Sequence, residues 1–150
     1  MAEHRRVAVI TGASSGIGLE TAKALAESGW DVIANGRNPA RCTAAEADTR
    51  AHARGGDITM LQADLSMMTG AELLAERIAA LTEKIDVLIN NAGGMAKDLE
   101  MTPEGLEACF AGNHLGPFLL THRLLPMLRR AAAESPSESV RIINTSSVSY

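Results

Sequence analysis

The feature that most constrains this chain is an alternation of two kinds of segment. Short apolar runs recur at Val7–Thr11, Asp31–Asn35, Ile58–Gln62, Asp86–Ile89 and Val140–Thr145. Longer stretches of helical character lie between them. Ile17, Thr21, Ala24 and Leu25 recur at helical spacing, which predicts a helix over Ile17–Ser28 with Gly29 as its stop. Pro39–Arg54 is rich in alanine and charge, and Gly55–Gly56 ends it. In Ala71–Leu81 the residues Leu74, Ile78 and Leu81 share one face. Asn90–Met101 reads as a loop, and Pro103–Ala133 as a long helical region that Gly112, Gly116 and Pro117 bend or divide.

The short runs lack polar alternation, as strands do when both faces of their sheet are covered. That implies a parallel sheet, and right-handed crossovers then give a doubly wound α/β fold. Such a sheet ordinarily has about six strands. The chain of 150 residues ends at Tyr150, directly after the fifth run. The expectation is therefore one domain over 1–150, incomplete at its C-terminal side.

The first run passes straight into Thr11-Gly12-Ala13-Ser14-Ser15-Gly16-Ile17-Gly18. A glycine-rich turn between a strand and a helix can cradle phosphate, because free backbone N–H groups and the positive end of the helix face the same way. Gly12 suits a tight turn, Gly16 a close approach to pyrophosphate, and Gly18 close packing of the helix. The spacing differs from the G-x-G-x-x-G fingerprint. A turn that merely caps a helix is the plainer alternative. The second run ends Ala34-Asn35-Gly36-Arg37-Asn38, with no acid to hold an adenosine ribose. Gly36 leaves room there, and Arg37 brings a cation suited to a 2′-phosphate, which favours NADP(H) over NAD(H). The other reading of Arg37 is a surface arginine after a turn. Arg41 is a weaker second candidate.

Thr11–Gly18 matches TGxxxGIG, and Asn90-Asn91-Ala92-Gly93 matches NNAG. In that order, on those elements, the chain resembles the short-chain dehydrogenases/reductases. Its NNAGG, NHLGPFLLT and NTSS stretches are most similar to the retinol-dehydrogenase-like subset. The resemblance implies a Rossmann fold and an NADP(H)-dependent oxidoreductase that moves a hydride between nicotinamide and a carbonyl/alcohol substrate. The residues and the resemblance together give the expected cofactor-binding set: Gly12, Ser14, Ser15, Gly16, Ile17, Gly18, Arg37, Asp64, Leu65, Asn90, Ala92 and Gly93. Asp64 takes the place of the family's adenine-binding aspartate; a cap on the following turn is its other reading.

The family's relay asparagine falls on Asn113, within a stretch where asparagine is a poor helix former and suits a local distortion. Its catalytic serine falls on Ser147. The family next requires Tyr-x-x-x-Lys. Tyr150 follows Ser147 by three positions, too soon for that tyrosine, and reads as a loop residue. The 150 residues alone are therefore expected not to turn over. The competing reading is a non-catalytic NADP-binding module. Family analogy also raises homo-oligomers formed through Asn113–Arg130.

Other function classes find little support. The net charge is −4 with no long basic run, so no nucleic-acid partner is expected. Cys42 and Cys109 are too few for a disulfide framework and read as free thiols in a reducing compartment. His4, His52, His114 and His122 show no zinc-ligand spacing, so no metal is expected. No apolar run nears the ~20 residues of a membrane span, and no secretory signal precedes the first motif. The expected location is the cytoplasm, and the expected partner a small molecule.

Overall fold

A computed structural model describes residues 5–137 and 139–148. His4 and Tyr150 lie outside the described residues. In chain order the elements are β1 (Val7–Ile10), α1 (Gly16–Glu27), β2 (Asp31–Gly36), α2 (Pro39–His52), β3 (Ile58–Gln62), α3 (Met68–Leu81) and β4 (Val87–Asn90). Then come a short α4 (Ala108–Phe110), a π-helical turn over Ala111–Leu115, α5 (Gly116–Glu134) and β5 (Arg141–Asn144). The five strands form one parallel sheet in the order β3-β2-β1-β4-β5. Chain direction across the sheet reverses between β1 and β4. The chain leaves β1 for α1 on one face of the sheet and leaves β4 for α5 on the other, the arrangement at which doubly wound sheets bind ligands.

The sheet's two faces are filled by alternate residues of the same strands. Val7, Val9, Ile33 and Leu88 pack with Ala71, Leu74 and Ile78 of α3 and with Leu120, Leu124 and Leu128 of α5. Ala8, Ile10, Val32, Ala34 and Ile89 turn the other way, onto Ala22 and Ala26 of α1. Alanine dominates the α1 contact, so that helix lies close to the sheet. This is how a chain with only 3% aromatic residues closes a core. β1, β2 and β4 are buried almost throughout, as their unbroken apolar runs require.

The two edges differ. At β3, Glu46 of α2 accepts the outward Met60 N–H at 3.0 Å, and Arg50 donates to the Ile58 carbonyl at 2.9 Å. One helix thus occupies the hydrogen-bonding groups that an edge strand otherwise presents. β5 pairs in full register with β4, yet Ile142 and Ile143 remain 42% and 46% exposed.

The structure departs from the expected elements mainly before α5. Pro103–Glu107 is not helical: Thr102 and Gly105 close a tight turn, with Gly105 at φ +79°. A positive φ cannot continue a right-handed helix. The division expected around Gly112 and Gly116 takes the form of the π turn. Among the described residues no helix is long and apolar enough to cross a membrane.

Leu124 is fully buried between α5 and the sheet. Leu124→Ala is expected to cost about 2–5 kcal/mol of unfolding free energy, through lost transfer energy and a residual cavity. Urea denaturation checks this; a loss below about 1 kcal/mol would place α5 outside the main core.

Candidate active site

The site begins with a lock between the ends of β1 and β4. The Thr11 hydroxyl is fully buried and accepts from the backbone N–H groups of Asn91 (3.1 Å) and Ala92 (3.0 Å). The Asn91 side chain donates back to the Gly12 carbonyl at 3.2 Å. Gly12 sits at φ +62°, and a Cβ there would come within 2.7 Å of the Ala92 Cα. A Cβ on Gly18 would lie 2.1 Å from the Gly12 carbonyl oxygen. The two loops therefore meet backbone to backbone, and side chains larger than hydrogen are excluded from the contact.

This lock leaves the start of α1 open. Its N-cap residue, Ser15, makes no side-chain capping bond, and no acid lies in the first turn. The first N–H groups of a helix have no intrahelical partner, so α1 offers free donors and the positive end of its dipole. At Gly16, φ is +55° and an added Cβ would meet nothing within 4 Å. Open space thus lies against the backbone at Gly16. The N-termini of α2 and α4 are closed instead. Asn38 accepts the Arg41 N–H at 3.0 Å, and Glu107 accepts from Cys109 and Phe110 at 2.9 and 2.7 Å. Those two N–H groups hold the Glu107 carboxyl below its ordinary range.

A cleft of about 1040 Å³ runs along the C-terminal ends of the strands. Gly12, Ser14, Ser15 and Ile17 line it from the glycine-rich turn, and Arg37 with Arg41 from the β2–α2 connection. Asp64 and Leu65 face it from the end of β3, and Ala92, Gly93 and Asn113 from the far side. Arg37 and Arg41 form no ion pair among the described residues. Asp64 also closes its own turn, accepting from the Ser66 N–H at 2.9 Å and the Ser66 hydroxyl at 2.7 Å.

Four sequence-predicted residues, Gly16, Gly18, Asn90 and Ser147, stand off the cleft, while Asn113 both lines it and braces it. Gly16 and Gly18 belong to the turn but do not line the cleft. Asn90 is 9% exposed and donates to Thr121 of α5 (3.0 Å) and Asn144 of β5 (2.9 Å), joining three elements beneath the cleft. Ser147 lies exposed in the segment after β5. Asn113 sits in the π turn. Its amide donates to the Gly94 carbonyl at 2.8 Å and accepts the Gly94 N–H at 2.9 Å, clamping the NNAGG loop.

Three features escape the sequence reading. The space at Gly36 is filled by Ser14 and Cys42, each 2.7 Å from an added Cβ, so this glycine serves packing. Burial there pushes the Cys42 thiol up. Asn35 is buried, and its amide donates to the carbonyls of Leu61 and Ala63, both at 3.2 Å, fixing the end of β3. Thr145 lines the cleft and donates to the Asn91 side-chain oxygen at 3.1 Å. No local pattern marks these residues, because each acts across strands. Among the described residues no cluster of His, Cys, Asp and Glu could hold a metal ion.

A doubly wound parallel sheet with an open helix N-terminus at its crossover defines a dinucleotide-binding fold. A family model described as short chain dehydrogenase matches residues 6–149, and the chain belongs to that family. It is 38% identical over 145 residues to retinol dehydrogenase 12 of Mus musculus, covering 97% of this chain and 44% of that protein. The solved RhlG/NADP active-site complex of Pseudomonas aeruginosa superposes with a TM-score of 0.77 at 37% identity, over 93% of this chain and 53% of that one. An NADH-dependent reductase, A1-R′, complexed with NAD gives 0.79 at 28% identity, over 96% and 60%. The chain thus spans less than half of that retinol dehydrogenase.

Thr11→Val keeps the shape of the side chain but strands two buried N–H groups. It is expected to cost about 2 kcal/mol or more, read as a fall in the denaturation midpoint. An unchanged midpoint would mean that the lock does not hold the two loops.

Proposed function

We propose that this chain supplies the cofactor-binding part of an NADP(H)-dependent oxidoreductase that interconverts a carbonyl compound and its alcohol. The observation that carries the reading is the open α1 N-terminus, placed on the same cleft as the unpaired Arg37 and Arg41. Those residues fit a dinucleotide that bears an additional phosphate. Free amides of the first turn suit the pyrophosphate, together with the hydroxyls of Ser14 and Ser15. Arg37 suits a 2′-phosphate, since a guanidinium offers paired donors and a permanent charge. An NADP complex in a protein 37% identical supports this choice, while the NAD complex of a more distant one marks the alternative.

When bound, the nicotinamide supplies or accepts the hydride. This chain's own part is to hold and orient. Asp64 and Leu65 face the adenine end. Ala92 and Gly93 offer a close backbone wall, and the Thr11–Asn91 lock sets its distance from the phosphate turn. Asn113 keeps the wall in place through Gly94 and belongs to the proton path proposed for the family fold. Ser147 is the residue proposed to hydrogen-bond the reacting oxygen of the substrate. A reducing compartment such as the cytoplasm suits the unpaired Cys42 and Cys109.

Calorimetry on the 150-residue chain tests the binding step. NADPH is expected to bind more tightly than NADH by at least about tenfold, and Arg37→Asp to cancel or reverse that preference. No NADPH uptake by folded wild-type chain sinks the reading. In the longest product of the reading frame that carries these residues, Ser147→Ala is expected to lower kcat/KM for carbonyl reduction about a hundredfold or more. Its NADPH affinity should barely change. Equal losses in both would remove Ser147 from the chemistry.

A further inference from the structure

α3 begins in an unusual way. Its N-cap residue is Met67, whose side chain makes no capping hydrogen bond. The missing acceptor comes from far along the chain: the Glu104 carboxylate takes the Met68 N–H at 2.5 Å with one oxygen and the Thr69 N–H at 3.2 Å with the other. A carboxylate on free amides at the positive end of a helix is a charge-assisted pair of bonds.

The two segments so joined both line the cleft. Asp64 to Met67 leads into α3. Met101 to Pro103 leads into Glu104. Between Ala96 and Met101 the second segment is exposed loop, with Leu99 81% and Met101 59% exposed. Its start is fastened by Asn113 on Gly94 and by Cys109, whose sulfur accepts the Ala96 N–H. Its far end folds on itself through Thr102 and Leu106, and the Ala108 N–H reaches back to the Glu100 carbonyl. Glu104 is the side chain in this turn that reaches across to α3.

We infer that Glu104 is a positioning residue that ties the loop wall of the cleft to the α3 wall, so that ligand binding meets a cleft of preset width. It touches no reacting atom. It acts by removing loop freedom that binding would otherwise have to remove. This role goes beyond capping: a local cap steadies α3 alone, whereas a tether couples α3 to the loop.

The test compares wild type with Glu104→Gln and Glu104→Ala. Tethering predicts that hydrogen exchange at Met68, Thr69 and Thr102, whose N–H is bonded to the Leu106 carbonyl, speeds up together, by about tenfold. Trypsin cleavage after Lys97 should accelerate in step. NADPH affinity should fall about three- to tenfold; this arm alone rests on the proposed function. Faster exchange confined to the first turn of α3, with Lys97 cleavage unchanged, overturns the inference.

A second variant separates cap from tether if Glu104→Ala proves unstable. Met67→Asp gives α3 an acceptor of its own. In the Glu104→Ala background it should restore the melting temperature relative to Met67→Asp alone, but leave cleavage after Lys97 fast. Restored slow cleavage would reduce Glu104 to a cap. If wild type takes up no NADPH, the functional reading fails, while exchange and cleavage still decide the tether.

Discussion

One buried hydroxyl organises the cleft edge of this molecule. Thr11 Oγ1 receives two successive backbone N–H groups from the loop after β4, and Asn91 returns a bond to Gly12. Without these bonds, β1 and β4 are merely neighbours in a sheet, and the loops that leave them diverge. With them, the glycine-rich turn and the NNAGG segment become opposite faces of one crevice. Thr145, bound to the Asn91 oxygen, brings the segment after β5 into the same set. Side-chain size matters less than its absence, since Gly12 and Ala92 touch through their main chains.

The helices make the same point through their N-termini. Each start must find acceptors for its leading N–H groups or leave them to solvent and ligand. α2 uses its own Asn38, α4 its own Glu107, and α3 the distant Glu104. α1 has none, although Ser15 stands at the capping position with a suitable hydroxyl. A serine that does not cap, beside a glycine with empty space over it, leaves the donors of one helix unspent. Their position at the reversal of the sheet is what the proposed dinucleotide site rests on.

Much of this was legible in the residues. Unbroken apolar runs announced buried parallel strands, and β1, β2 and β4 are buried as such runs demand. The glycine-rich turn was visible because phosphate binding and helix packing both need glycine at fixed places. Less visible were features set by partners distant in sequence. Pro103–Glu107 has helix-compatible residues, but Gly105 turns left-handed to close against Thr102. Asn35 was given no role of its own and is a clasp on β3. Gly36 looked like room for a phosphate and is room for Ser14 and Cys42. Spacing reports periodicity along one element; it does not report what another element presses against it.

These misreadings share a cause that bears on how the cleft can vary. Its floor is built largely from peptide groups and small residues, held by hydrogen bonds that tolerate no extra atoms. Substitution there disturbs folding before it alters specificity. Discrimination must therefore reside in side chains that project from the rim without supporting it, and Arg37 and Met101 stand in such places. Arg37 stands at the β2–α2 connection and Met101 in the loop before α4, so each can change with little effect on the other. A tether such as Glu104 is what allows the loop end to change: the rim residues vary while the wall that carries them keeps its distance from α3.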